Sequence, residues 1–170
     1  MTPRHHLQTN TPCDRKTNRI PQHDHFRQSW KTLYTACKAG RRPSNMSLKQ
    51  FLDSGLSLVR YLTAHHDIEE SYLYPILARK MPSFRQARDG HVDCELVQQH
   101  RAIHEGMDVF EAYLRACRNG ETEFEMVVLK AKMDAWGDVL FKHLDEEVKE
   151  LGAENMRKYW TLEEVRAIPV

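Results

Sequence analysis

Four stretches of the chain carry apolar residues at the 3.6-residue spacing of a helix that buries one stripe. The first runs from about Gln22 to Ala39, with Phe26, Trp30, Leu33, Tyr34 and Cys37 on the stripe, and Gly40-Arg41-Arg42-Pro43 stops it. The second starts after Ser47 and runs to about Lys80 on Phe51, Leu52, Leu58, Val59, Leu62, Leu73, Ile76 and Leu77, with Pro75 expected to kink it or start a last turn. The third spans about Cys94 to Arg118 on Leu96, Val97, Ile103, Met107, Phe110 and Leu114, and Asn119-Gly120 closes it. The fourth spans about Glu123 to Leu151 on Val128, Trp136, Val139, Leu140, Leu144, Val148 and Leu151. Residues 83–92 read as a loop and Asn155 to Arg166 as a short C-terminal helix. Short links make neighbouring helices antiparallel, so the pattern predicts an all-α, up-down four-helix bundle. The expected layout is a flexible polar tail over residues 1–20, the bundle over 21–152, and an extension over 153–170 packed on it.

Composition narrows the function. With 25 Lys+Arg against 24 Asp+Glu in 170 residues, the net charge is +1, without the basic surplus that nucleic acid or an anionic membrane demands. No apolar run approaches the roughly 18 residues of a membrane span. The N-terminus lacks the apolar segment of a secretory signal. Cys13, Cys37, Cys94 and Cys117 form neither a zinc spacing nor a disulfide framework, which points to a reduced, cytoplasmic protein. Histidine stands out, at ten residues.

Several of these histidines fall on the apolar stripes. His100 and His104, four apart, are in phase with Leu96, Ile103 and Met107. His143 follows Leu140 by three, and Glu147 follows His143 by four. His65 follows Leu62 by three, with Glu69 four further on, and His23 precedes Phe26 by three. Seven polar groups thus aim at one interior: His23, His65, Glu69, His100, His104, His143 and Glu147. Burying them unpartnered is costly, and a metal satisfies them together. Imidazole and carboxylate suit iron, zinc, copper or manganese; seven donors exceed one tetrahedral zinc and suit two octahedral ions sharing carboxylates. Two alternatives stay open, His66/Glu70 in place of His65/Glu69 and His25 in place of His23. His5, His6 and His91 read as solvated.

The segments HDHFR (23–27), HHDIEESYLYP (65–75), QHRAIHEGM (99–107) and HLDEEVKEL (143–151) together resemble the hemerythrin-like (HHE cation-binding) family over about residues 20 to 160. The resemblance implies a four-helix bundle around a non-haem di-iron centre held by five histidines and two carboxylates. His23 resembles the lone ligand of the first helix, His65/Glu69 the pair preceding the aromatic-Pro turn (Tyr74-Pro75), His100/His104 the third-helix pair and His143/Glu147 the closing pair. Glu69 and Glu147 are then the expected bridges. The oxygen carriers of the family close with H-x-x-x-x-D; here that position is Val148 and the carboxylate is Glu147, which shifts the expectation from reversible carriage toward sensing, iron handling or redox chemistry. The implied cofactor is two iron ions, with manganese or zinc as substitutes, and the implied partner is dioxygen or another small diatomic ligand.

Other chemistries lack their motifs. No Glu has a His three residues later, as a ferritin-type site requires. H-E-x-x-H is absent, since His104-Glu105 meets Asp108 at the needed position. A binding role and a di-iron oxidoreductase acting on peroxide, dioxygen or nitric oxide both remain, the latter with Tyr34, Tyr61 and Tyr72 as candidate proton donors. The third possibility, a metal-free interaction module, leaves seven inward polar groups unexplained. Tyr159 and Trp160 are expected to pack at the end of the bundle.

Overall fold

The computed structural model describes residues 20–86 and 93–168; most of the expected tail, His91 and Cys13 lie outside them. Four long helices form: α1 (Ile20–Ala39), α2 (Leu48–Ile68), α4 (Glu95–Arg118) and α5 (Met126–Glu150). Among the described residues there is no strand. Each long helix packs on two neighbours, in the cyclic order α1, α2, α4, α5. They are antiparallel: His23 meets Glu147 while Trp30 meets Gly137, and His66 meets His100 while Gly55 meets Leu114. This is the bundle that the apolar period predicts.

The second helix departs from its expected single run. It begins at a capping box in which Ser47 and Gln50 satisfy each other's backbone N–H. It then widens into a π turn at Glu69–Leu73 and tightens again as α3 (Tyr74–Leu77). Pro75 accounts for the widening, because it has no N–H to give and its ring would clash with the carbonyl four residues back in a regular α-helix. The Tyr74 N–H instead reaches the Glu69 carbonyl, five residues back. Single π turns of this kind are common at functional sites.

Two apolar clusters hold the molecule. The larger fills the bundle around Trp30, Leu62, Phe110, Trp136 and Leu140. The smaller, at one end, joins Leu73, Tyr74, Leu77, Met81, Phe84, Leu96 and Ile168. The expected C-terminal helix is two short ones, α6 (Ala153–Met156) and α7 (Leu162–Ala167). The break falls where Thr161 starts a new capping box with Glu164. Met156 and Trp160 pack on the smaller cluster, and Lys80 pairs with Glu164 at 2.7 Å.

Candidate metal centre

Between the two clusters lies a layer of buried histidine and glutamate. Two sets of four donors converge there, each set within 4.8 Å: His66, Glu69, His100 and His143, and His23, His65, Glu69 and Glu147. Each of these residues is at most 6% exposed.

In the second set, His23 Nε2 lies 3.3 Å from His65 Nε2 and 3.1 Å from Glu147 Oε2, and His65 Nε2 lies 3.1 Å from Glu69 Oε1. In the first set, His100 Nε2 is 3.2 Å from His143 Nε2 and 3.5 Å from Glu69 Oε2. Glu69 therefore turns one oxygen to each set. Glu147 Oε2 also lies 3.9 Å from His143 Nε2. Donors bound about 2.1 Å from one ion lie roughly 3.0–3.4 Å from one another, which is the range of most of these distances.

Why adjacent residues of α2 serve both sets follows from its two neighbours. His65 faces α1, its ring 5.1 Å from Phe26 and 5.2 Å from His23. Rotated about 100° from it, His66 faces α4 and α5, stacked on His100 at 4.0 Å and 5.4 Å from His143. So His65 and His66 are both buried, and the register the sequence left open is not a choice between them. His25 is exposed and sits against Tyr61. His104 stands at the rim, outside both sets, with its side chain 32% exposed and its Nε2 3.7 Å from Glu70 Oε1. The two sets thus hold six of the seven expected residues together with His66, again five histidines and two carboxylates.

Three side chains escaped the sequence reading or had a lesser place in it. His66 follows from the doubled spacing of His65-His66 and Glu69-Glu70. Glu70 receives the N–H of His100 Nδ1 at 2.8 Å, which leaves Nε2 pointing inward. Tyr74 is buried with its hydroxyl 3.0 Å from His100 Nε2, whereas Tyr72, one of the proposed donors, is 64% exposed.

The donor set fits a cation. Neither ring nitrogen of the fully buried His66 has a hydrogen-bond partner. A buried imidazole in that state costs about 1–3 kcal/mol per unmet group unless something accepts its lone pair. Burial, reinforced by the neighbouring His100, drives the His66 and His143 rings toward the neutral form a metal needs; His143 falls to about 3. Burial opposes charge on His100 too, but hydrogen bonds and attraction from Glu69 and Glu70 outweigh it and push that ring up to about 9. Burial likewise opposes charge on Glu147, yet hydrogen bonds with His23 and Glu69 and the adjoining histidines bring it down to about 2.

These shifts set a pH profile for the metal-free protein. His66 and His143 titrate below 6.5 when folded, so the unfolded chain takes up more protons and stability falls as pH drops from about 6.5 toward about 3. Glu147, which titrates below its usual 4.5, adds to the loss on that limb as pH falls toward about 2. His100 contributes stability that is complete below 6.5 and lost as pH rises through about 9. The melting temperature of metal-free protein should peak near neutrality and fall more steeply on the acid side. A profile rising steadily into acid contradicts these environments.

The family described as the hemerythrin HHE cation binding domain matches residues 20–154, which contain every residue of both sets. A protein of Cryptosporiopsis sp. (strain 8999) named "Dimeric xanthone biosynthesis cluster protein R11" is 27% identical over 147 residues. That match covers 82% of this chain and 52% of the relative, so the chain spans about half the length of that protein. No solved structure matches the chain.

Proposed function

The chain belongs to the hemerythrin HHE cation-binding family, and from that premise we propose that it holds two non-haem iron ions side by side, to bind or sense a small molecule such as dioxygen or to handle iron. The observation that carries this reading is Glu69, with Oε1 3.1 Å from His65 Nε2 and Oε2 3.5 Å from His100 Nε2. One carboxylate facing two histidine sets is the arrangement of a bridge between two cations. His66, His100 and His143 are the proposed further holders of one ion, and His23, His65 and Glu147 of the other. Manganese or zinc suits the same donors, and supply decides among them.

When bound, paired iron ions supply one-electron redox chemistry and an electrophilic site for a small ligand. The residues supply the rest. Burial of all seven side chains keeps bulk water away. Glu70 fixes the ring orientation of His100 through Nδ1. Glu147, four residues after His143, would supply the closing carboxylate, since Val148, at the position of the oxygen carriers' Asp, has no donor atom and is 38% exposed.

A second reading, a di-iron oxidoreductase, draws support from the likeness to a protein named for a biosynthesis cluster. Turnover of peroxide, dioxygen or nitric oxide by iron-loaded protein separates the two.

The ligand assignment has its own test. His66→Ala should lose one of two ions, whereas His104→Ala should keep close to full metal content, because His104 lies outside both sets. Elemental analysis of both variants reads the difference, and full occupancy in His66→Ala with loss in His104→Ala reverses the assignment.

A further inference from the structure

Tyr74 is a fully buried polar group at this centre that the five histidines and two carboxylates of the donor sets leave unused. It is 1% exposed, and its ring stacks on His100 at 4.9 Å and meets Phe84 at 5.0 Å on its other flank. The π turn ends at its backbone, so the same distortion that seats Glu69 also seats Tyr74.

Its hydroxyl is not directed at a neutral part of the site. It lies 3.0 Å from His100 Nε2, the nitrogen that His143 Nε2 approaches to 3.2 Å and Glu69 Oε2 to 3.5 Å. The other nitrogen of that ring gives its proton to Glu70 at 2.8 Å, a carboxylate oxygen being able only to accept. Without metal, Glu69 and Glu70 keep this ring protonated at neutral pH, so Nε2 carries a hydrogen that faces the Tyr74 oxygen. A cation held by His100 displaces that proton to solvent and takes the lone pair it leaves. The Tyr74 oxygen then faces the cation where that proton was, its ring packed between His100 and Phe84 with little freedom to swing away.

The geometry points to Tyr74 as an oxygen donor to the cation held by His66, Glu69, His100 and His143, a fifth protein ligand of that ion. This rests on the metal reading above. On loading, the phenol O–H bond breaks, its proton passes to solvent, and a bond forms between the phenolate oxygen and the cation. An anionic oxygen stabilises the more highly charged oxidation state of iron, so Tyr74 favours ferric over ferrous iron at this position.

The test compares full-length wild type with Tyr74→Phe, and with Tyr72→Phe as an exposed control, at matched and measured metal content. Zinc titrated into metal-free protein should raise the ultraviolet difference absorption of one tyrosinate per chain in wild type and Tyr72→Phe, and none in Tyr74→Phe. Ferric iron should give wild type a visible phenolate-to-iron charge-transfer band that Tyr74→Phe lacks, and the variant should be easier to reduce. Wild type fully loaded with neither signal, or either signal persisting in Tyr74→Phe, overturns the assignment. Metal missing from wild type itself is a separate result: it removes the metal reading, and this inference with it.

Discussion

Glu69→Gln should strip the centre of most of its metal while leaving the helices in place. The substitution keeps the shape of the side chain and exchanges one oxygen for an NH2 group that cannot ligate a cation. Because Oε1 faces His65 and Oε2 faces His100, whichever oxygen is lost deprives one ion of a donor, and the lost charge affects both. Two cations held close together repel, and an anionic carboxylate between them offsets that repulsion. Losing an outer partner of a ligand costs roughly 10–100-fold in affinity, and losing a shared ligand should cost more. Metal content should fall to one ion or fewer per chain, with the helical circular dichroism unchanged. Two ions retained in Glu69→Gln would show that it bridges nothing.

Gly106→Ala should destabilise the protein by several degrees at least, although alanine is the better helix former by about 1 kcal/mol. The two effects have opposite sign, and distance decides between them. Gly106 sits in α4 against α5, and an added Cβ would fall onto Cβ and Cγ of Trp136, with Cδ1 2.8 Å away. Trp136 is 1% exposed and packs edge-on against Trp30 at 4.7 Å, so it has nowhere to retreat. Overpacking of this kind costs about 1–3 kcal/mol, occasionally more. With the propensity gain set against it, the upper end of that range is a net loss of roughly 4–8 °C of melting temperature for a chain of this size. Forcing α4 from α5 also separates His100 from His143, now 3.2 Å apart, so metal affinity should drop with stability. A variant melting at or above wild type would mean that the helices are not held as closely as described.

Apolar spacing was enough to read the bundle because each long helix has its buried stripe and a clear stop, such as Gly40 and Gly120, both with positive φ. It was a weaker guide to the metal layer. Phase analysis assigns one buried face to each helix, yet α2 packs on α1 and α4 at once, so His65 and His66 can both be buried though they differ by 100°. The same analysis treats residues four apart as equivalent, but they differ by about 40°, and on α4 that offset leaves His100 inside and His104 at the rim. Tyr74 had no signal of its own, because a π turn shifts the phase of everything after it and only Pro75 hints at one. The split of the C-terminal segment was written in Thr161 and Glu164, a capping box in the middle of what reads as one helix.

The number of cations in one chain is the measurement to make: elemental analysis of untagged protein produced with ample iron, alongside circular dichroism to establish that it is folded. The arrangement of His23, His65, His66, Glu69, His100, His143 and Glu147 predicts two ions per chain, chiefly iron. One ion per chain would reduce the two donor sets to a single site and remove Glu69 as a bridge. A folded protein that takes up no metal would contradict the account outright.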